Sequence, residues 1–436
     1  MKINRLIIKK LFGTFNYDIN LNTDQKSNMT IITGPNGYGK TTILRILNSL
    51  NTSNLYTLYS LKFEKVDIEF DDDTHLAITK SIQNETEEDS ESSDVTFAQN
   101  SQSKELNFKW YNSEDSKPFT SFVINDANVS KAYRRTRYED DMFPRSFRRS
   151  SSKELKEYLQ SSEMFINRLA QEQQRDAFLM QLQTISVKYI SANRIYNDKQ
   201  VDEKDLPIER IEKSLKDKLE TVRVDFLKLS ERENKLFIEE ILGDSQKDIT
   251  EETYKSITFS LRAQSEKLKR YKLTNEFEIP EYSESKKNIL SAYIFHLEKK
   301  IKWCEDFLGK MELFDEMLRS KKFANKTITF SPDYGLRVVA NNGEFIDVAL
   351  LSSGEQHEIV MLYNLIFEVG DSSILLVDEP ENSLHVAWQR MVVPDLERLA
   401  EVKKLQLIIA THSPSIVSEK PDAATDLFYI NEEDVD

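Results

Sequence analysis

Four short stretches of the chain hold residue types that could do chemistry together. The first, Gly34-Pro35-Asn36-Gly37-Tyr38-Gly39-Lys40-Thr41, fits the pattern G-x-x-x-x-G-K-[ST]. Glycines there let backbone N–H groups turn toward an anion, and a following helix adds the positive end of its dipole. In such a loop Lys40 would reach the outer phosphates and the Thr41 hydroxyl would hold Mg2+. Taken alone the pattern gives false positives. Here it follows a short buried-type strand, Met29-Thr30-Ile31-Ile32, and opens a helix, Ile43 to Leu47.

The second stretch, Ile374-Leu375-Leu376-Val377-Asp378-Glu379-Pro380, is an apolar strand ending in two carboxylates. Asp378 would hold Mg2+, directly or through water, and Glu379 would polarise an attacking water as general base. A lone Asp-Glu reads as a surface turn; the apolar residues before the pair argue against that. The third, Leu351-Ser352-Ser353-Gly354-Glu355-Gln356, is a second phosphate-binding turn at a helix N-terminus or an ordinary serine-capped helix. The fourth places His412 at the end of Leu407-Ile408-Ile409-Ala410-Thr411. There it could contact a γ-phosphate or the attacking water. By itself a single histidine reads as structural.

The elements that must position these residues alternate in type. Ile3 to Ile8 and Phe15 to Leu21 are β-prone, and residues 62 to 82 form a hairpin turning at Asp71-Asp72-Asp73-Thr74. Residues 83 to 104 are rich in Glu, Asp, Ser, Asn and Gln and read as a flexible loop. Residues 131 to 153 cluster Arg134, Arg135, Arg137, Arg145, Arg148, Arg149 and Lys153 among Tyr133, Tyr138, Phe143 and Phe147. Arginine with interleaved aromatics suits nucleic acid, an acidic protein partner, or a solvated basic loop. After a strand at 185 to 190 come two long helical patterns, 208 to 242 and 289 to 318. The second repeats at mostly alternating fours and threes through Leu290, Ile294, Leu297, Ile301, Cys304, Leu308, Met311, Phe314 and Leu318. That seam fits a helical arm that leaves and returns, or two amphipathic helices on a compact domain. From residue 326, strands and helices alternate again and indicate a parallel sheet.

The composition sets outer limits. The chain has 436 residues, 39% hydrophobic and 10% aromatic, enough for two or three domains with a sizeable core. A formal net charge of -15 argues against a protein coated for nucleic acid, though not against a local basic patch. No run of apolar residues is long enough for a membrane span, and the N-terminus lacks a signal-peptide core. One cysteine, Cys304, excludes an intrachain disulfide and a thiolate zinc site. A cytoplasmic location is the expectation.

In chain order, Gly34–Thr41, Leu351–Gln356, Leu375–Pro380 and Thr411-His412-Ser413-Pro414 resemble the Walker A, signature, Walker B and switch-histidine motifs of ABC-type ATPases. The long gap between the first two is similar to the SMC and RecF branch. The wording "LSSGEQHEIVMLYNLIF", "ILLVDEPENSLHVAWQ" and "IIATHSPSIV" resembles a bacterial group related to the OLD nucleases, including the ATPase subunits of phage-defence systems such as PARIS and Septu. The resemblance rests on about the first fifty residues and on 327 to 418. It implies an α/β fold: a P-loop ATPase head with a mixed sheet, an antiparallel β subdomain, and a helical or coiled-coil insertion. It implies ATP and Mg2+ as ligands. Gly34, Asn36, Gly37, Gly39, Lys40, Thr41 and Thr42 match the phosphate loop; Thr41 and Asp378 match the metal positions; Glu379, His412 and Lys40 match the catalytic ones. Ser353, Gly354 and Glu355 match the signature that contacts the γ-phosphate bound by another subunit. Asn382, Ser383 and Leu384 match the loop that crosses the dimer seam. For the Q-loop equivalent, Asn193 and Arg194 stand at the end of the strand at 185 to 190, where there is no glutamine, and Gln83 after the hairpin competes with them.

The implied division is 1–82 for the N-terminal half of the head, 83–184 for an insertion, 185–200 for a returning strand, 201–325 for a helical arm, and 326–436 for the C-terminal half. Too few residues follow His412 for the Toprim nuclease domain of OLD proteins, so a toxic activity is expected in a separate effector. The expected function is an ATPase subunit that forms a homodimer or higher homo-oligomer through shared ATP sites, senses a phage-encoded trigger and controls that effector, without a membrane. The alternative is a DNA-associated ATPase of repair or chromosome maintenance. A translation factor with two ATPase cassettes does not fit a chain with one.

Overall fold

The structure is a computed structural model that describes residues 1–21, 28–51, 55–84, 102–112, 117–125, 176–192, 206–243, 248–275, 277–371, 373–382, 384 and 386–433. The basic segment 131–153, most of the acidic run at 83–104, Asn193, Arg194 and Ser383 lie outside them. The chain divides into two compact units. The first comprises residues 1–192, 369–382 and 386–436; the second comprises 193–368 and 383–385.

The first unit opens with strands β1 (Ile3–Leu11), β2 (Phe15–Asn20) and β3 (Met29–Thr33), then helices α1 (Lys40–Asn48) and α2 (Tyr56–Ser60). Strands β4 (Lys65–Phe70), β5 (Thr74–Asn84), β6 (Gln102–Asn112) and β7 (Thr120–Asn125) follow, then α3 (Asp176–Gln183) and β8 (Val187–Ile190). Six of these strands form an antiparallel sheet in the order β2-β1-β4-β5-β6-β7. Its logic is alternation: in β4, Val66, Ile68 and Phe70 point inward while Lys65, Asp67 and Glu69 face outward. The run expected as a loop at 83–104 begins and ends inside this sheet, because Gln83 pairs with Ser103 and Asn84 with Gln102.

After the second unit the chain returns as β12 (Ile374–Asp378), α8 (Val386–Lys403), β13 (Gln406–Ala410), α9 (Pro414–Glu419), β14 (Ala424–Asp426) and α10 (Leu427–Glu433). These strands join β3 and β8 in a parallel sheet ordered β14-β3-β13-β12-β8. Every residue of β12 and β13 is buried, as continuous apolar strands covered on both faces require. Ile374, Leu376, Ile408 and Ala410 share one core with α1 and the inner face of the antiparallel sheet. Leu375, Val377, Leu407 and Ile409 are equally buried, and α8 packs on β13.

The second unit begins with α4 (Pro207–Leu242), where Pro207 occupies the first turn and the Glu209 carboxylate accepts from the Leu206 N–H at 2.6 Å. Then come α5 (Glu251–Arg270) and α6 (Lys287–Ser320). The apolar seam anticipated on α6 is buried along its whole length, from Leu290 to Leu318. Both α4 and α5 pack on α6. Cys304 sits in that seam, its thiol pushed up to about 11 by burial and so unreactive. A polar cross-link interrupts the apolar packing of α4 on α6. His296 places Nδ1 2.7 Å from Glu233 and Nε2 3.0 Å from Glu240, and Lys300 donates to Asn234 Oδ1 at 2.6 Å.

Strands β9 (Lys326–Ser331), β10 (Gly335–Ala340) and β11 (Phe345–Ile346) make a small antiparallel sheet, followed by α7 (Ser353–Tyr363) and one π-helical turn at 364–368. Gly335 has φ +76°, and a Cβ there would overlap the Glu212 carbonyl of α4. Only glycine lets the helix lie this close to the hairpin. Among the described residues no helix is long and apolar enough to cross a membrane.

Candidate nucleotide-binding site

The phosphate loop runs from the end of β3 to the start of α1. Gly39 is the N-cap residue, with φ +89°, and an added Cβ would stand 2.9 Å from Leu11 Cδ2. The position therefore needs glycine for both conformation and space. No side chain caps α1 and no acidic residue stands in its first turn. Its N-terminal amides and positive dipole end are left for an anion, which is the fit a phosphate needs. Asn36 and Gly37 are exposed at the loop's tip; Thr42 is half-buried in the first turn.

Lys40 is buried, and its ammonium donates to the carbonyls of Gly34 at 2.8 Å and Pro35 at 3.3 Å. Burial pulls its pKa down, while the charges of Glu379 and Asp378 partly restore it. The same ammonium lies 3.3 Å from His412 Nδ1.

Parallel pairing brings the other groups to one edge. Asp378, the last residue of β12, pairs with Ala410 at the end of β13, two residues before His412. Asp378 is 3% exposed. Its Oδ1 accepts from the Thr41 hydroxyl at 3.1 Å, and its Oδ2 accepts from the Tyr189 hydroxyl at 3.1 Å. Burial pushes this carboxyl up; the two hydrogen bonds and the charges of Arg45 and Lys40 oppose that. The donor set available to a divalent cation is one hydroxyl and one carboxylate. That suits Mg2+, which keeps most of its shell for water and phosphate oxygens. Among the described residues no group of three His, Cys, Asp or Glu side chains forms a self-sufficient metal cluster.

Glu379 follows with φ +44°, a left-handed conformation unusual for a residue with a side chain. Its amide is held by the Ala410 carbonyl at 2.8 Å. Its carboxylate accepts from the His412 amide at 3.2 Å and lies 3.5 Å from His412 Nε2. Burial, then hydrogen-bond contact and repulsion from Glu381, push the Glu379 carboxyl up to about 7. Glu381 is itself held by the Thr411 hydroxyl. Burial, then the Lys40 charge, lower the pKa of His412.

The structure thus brings together Lys40, Thr41, Asp378, Glu379 and His412. It adds Tyr189, Arg45 and Glu381, which sequence reasoning missed. Glu381 had a signal, since it lies two residues beyond Glu379. Arg45 had another, one helical turn after Thr41 on the same face. Tyr189 had none.

The Leu351–Gln356 turn belongs to the second unit. Ser352 caps α7, accepting the Glu355 amide at 3.4 Å, while Glu355 Oε2 accepts from the Ser352 N–H at 3.0 Å and hydroxyl at 2.9 Å. Lys326 holds the other Glu355 oxygen at 2.7 Å. The Glu355 carboxylate is therefore engaged within its own chain. Ser353 is exposed and Gly354 half-exposed at the helix N-terminus. Asn382 donates its N–H to the Glu379 carbonyl at 3.0 Å, and Leu384 is buried.

The family description "AAA ATPase domain" matches residues 1–417, nearly the whole chain. The chain belongs to the AAA ATPase domain family. This ATPase domain is 29% identical over 90 residues to the "Retron Ec83 probable ATPase" of Escherichia coli. The match covers 18% of this chain and 16% of that protein. Similar solved structures include the Smc head domain of Pyrococcus furiosus with an extended coiled coil, bound to the C-terminal domain of ScpA. It is 14% identical, with 96% of this chain and 91% of that chain covered and a TM-score of 0.34. The SMC head domain of Thermotoga maritima is 11% identical, with 97% and 92% covered and a TM-score of 0.32.

Proposed function

We propose that this ATPase is of the ABC type. It binds ATP in its own phosphate loop and hydrolyses it when the Ser353–Gly354 turn of a second copy contacts the γ-phosphate. The observation that carries this is the convergence of Lys40, Thr41, Asp378, Glu379 and His412, each within 3.5 Å of another member. Mg2+, when bound at Thr41 and Asp378, would neutralise charge on the phosphate oxygens. Lys40 exchanges the Gly34 and Pro35 carbonyls for outer phosphates. Glu379, once ionised, takes a proton from the attacking water. His412 stands beside that water's position, its ring hydrogen-bonded to Lys40 on one side and facing Glu379 at 3.5 Å on the other. Ser353 supplies an exposed hydroxyl, and the α7 N-terminus a dipole, to the partner's nucleotide. Asn382 and Leu384 lie in the loop assigned to the seam.

We further infer that hydrolysis serves as a switch controlling a separate effector in bacterial anti-phage defence. The retron ATPase among the relatives supports this reading.

Subunit mixing tests the shared site. Lys40→Ala leaves a subunit with a working signature and no phosphate loop; Ser353→Arg leaves the converse. Each alone is inactive, but a 1:1 mixture regains about a quarter of wild-type hydrolysis, because half the random dimers carry one complete site of two. A mixture as inactive as its parts would place the whole site within one chain.

A further inference from the structure

A carboxylate as deep as Asp378 needs donors, and it has one on each oxygen. Thr41 comes from the phosphate loop and would be shared with the metal. Tyr189 comes from β8, the edge strand beside β12. The register explains the contact. Tyr189 pairs with Leu376, so it shares a face with Asp378 two residues further on, and its ring spans that diagonal. The ring packs against the core, and only the hydroxyl reaches the acidic group.

We propose that Tyr189 is a positioning residue for the metal side of the nucleotide site, fixing Asp378 through Oδ2 as Thr41 fixes it through Oδ1. A single hydrogen bond leaves a carboxylate free to turn about its last torsion; a second on the other oxygen sets its plane. Arg45, one turn after Thr41, is near enough for its charge to act on both Tyr189 and Asp378. A phenol keeps its proton at neutral pH, so it remains a donor. Phenylalanine would fill the same core space, so the hydroxyl has a role that packing does not explain.

This role rests on the reading of Thr41 and Asp378 as metal ligands, and the test separates the two. Tyr189→Phe in the full chain is compared with Asp378→Asn. Mn2+ serves as a paramagnetic probe in the presence of ATP, and bound metal is normalised to folded protein. Binding of a fluorescent ATP analogue is measured in EDTA, and melting is measured without nucleotide. Tyr189→Phe weakens Mn2+ binding about tenfold, as loss of a partner behind a ligand typically does, while nucleotide binding in EDTA stays at the wild-type value and melting falls only by what one buried hydrogen bond contributes. If Asp378→Asn loses metal and Tyr189→Phe holds it within about twofold of wild type, the role of Tyr189 falls and the metal site stands. If Asp378→Asn holds metal normally, both fall.

Discussion

His412 Nδ1 stands 3.3 Å from the Lys40 ammonium, with the opposite ring nitrogen facing Glu379. An ammonium can only donate, so Nδ1 is the acceptor and Nε2 carries the proton. The imidazole is then a neutral link between the residue expected on the phosphates and the residue expected on the water.

Lys40→Ala lowers ATP affinity at least about thirtyfold, the equivalent of ~2 kcal/mol for a charged hydrogen bond. Equilibrium binding of labelled ATP checks this. Wild-type affinity would remove the loop as the phosphate site.

Glu379→Gln retains ATP binding and slows hydrolysis about a hundred- to ten-thousandfold, the range for loss of a general base. Single-turnover hydrolysis alongside binding makes the distinction, and the variant accumulates as a nucleotide-bound oligomer on native mass analysis. Full turnover would exclude Glu379 as the base.

Because the Glu379 carboxyl is pushed up to about 7, hydrolysis rises with pH across roughly 6 to 8 as the base ionises. Glu381→Gln removes a neighbouring negative charge and moves that acidic limb to lower pH. A limb that stays in place would assign it to a different group.

The same shift has a stability signature. Glu379 ordinarily titrates near 4.5 and here near 7, so between those values the folded protein holds a proton the unfolded chain has released. Stability therefore falls as pH rises through that window. Glu379→Gln, which cannot ionise, raises the melting temperature more at pH 8 than at pH 5. An equal shift at both would mean that the raised value does not belong to this residue.

Glu355→Ala removes a capping carboxylate and leaves Lys326 without its partner. The nucleotide-free protein loses about 1 kcal/mol from the cap, read as a lower midpoint in urea. ATP binding is kept and hydrolysis falls. A weakened ATP affinity in the isolated subunit would contradict a purely structural role.

Much of the site was legible because its requirements are local. A glycine at position 39 and a lysine after it follow from one loop, and the unbroken apolar runs of β12 and β13 follow from burial on both faces. What escaped was set by distance or by disguise. Tyr189 acquires its role only when β8 lies beside β12, and nothing near it in sequence announces that neighbour. Strand β6 carries Leu106, Phe108 and Trp110 at strand spacing, but it emerges from a polar run that draws the eye to disorder. Helix α5 buries Tyr254, Thr258, Leu261, Ser265 and Leu268; two of those five seam positions are threonine and serine, so the apolar stripe looks broken.

The polar cross-link between α4 and α6 bears on how those helices respond to load. An apolar seam tolerates sliding by one turn, since leucine meets leucine again about 5.4 Å on. Here such a slip would carry Glu233, Glu240 and Asn234 away from His296 and Lys300 and leave ionisable groups facing hydrocarbon. The pair therefore behaves as a keyed shaft: a push at one end reaches the other as displacement and is not absorbed as slippage.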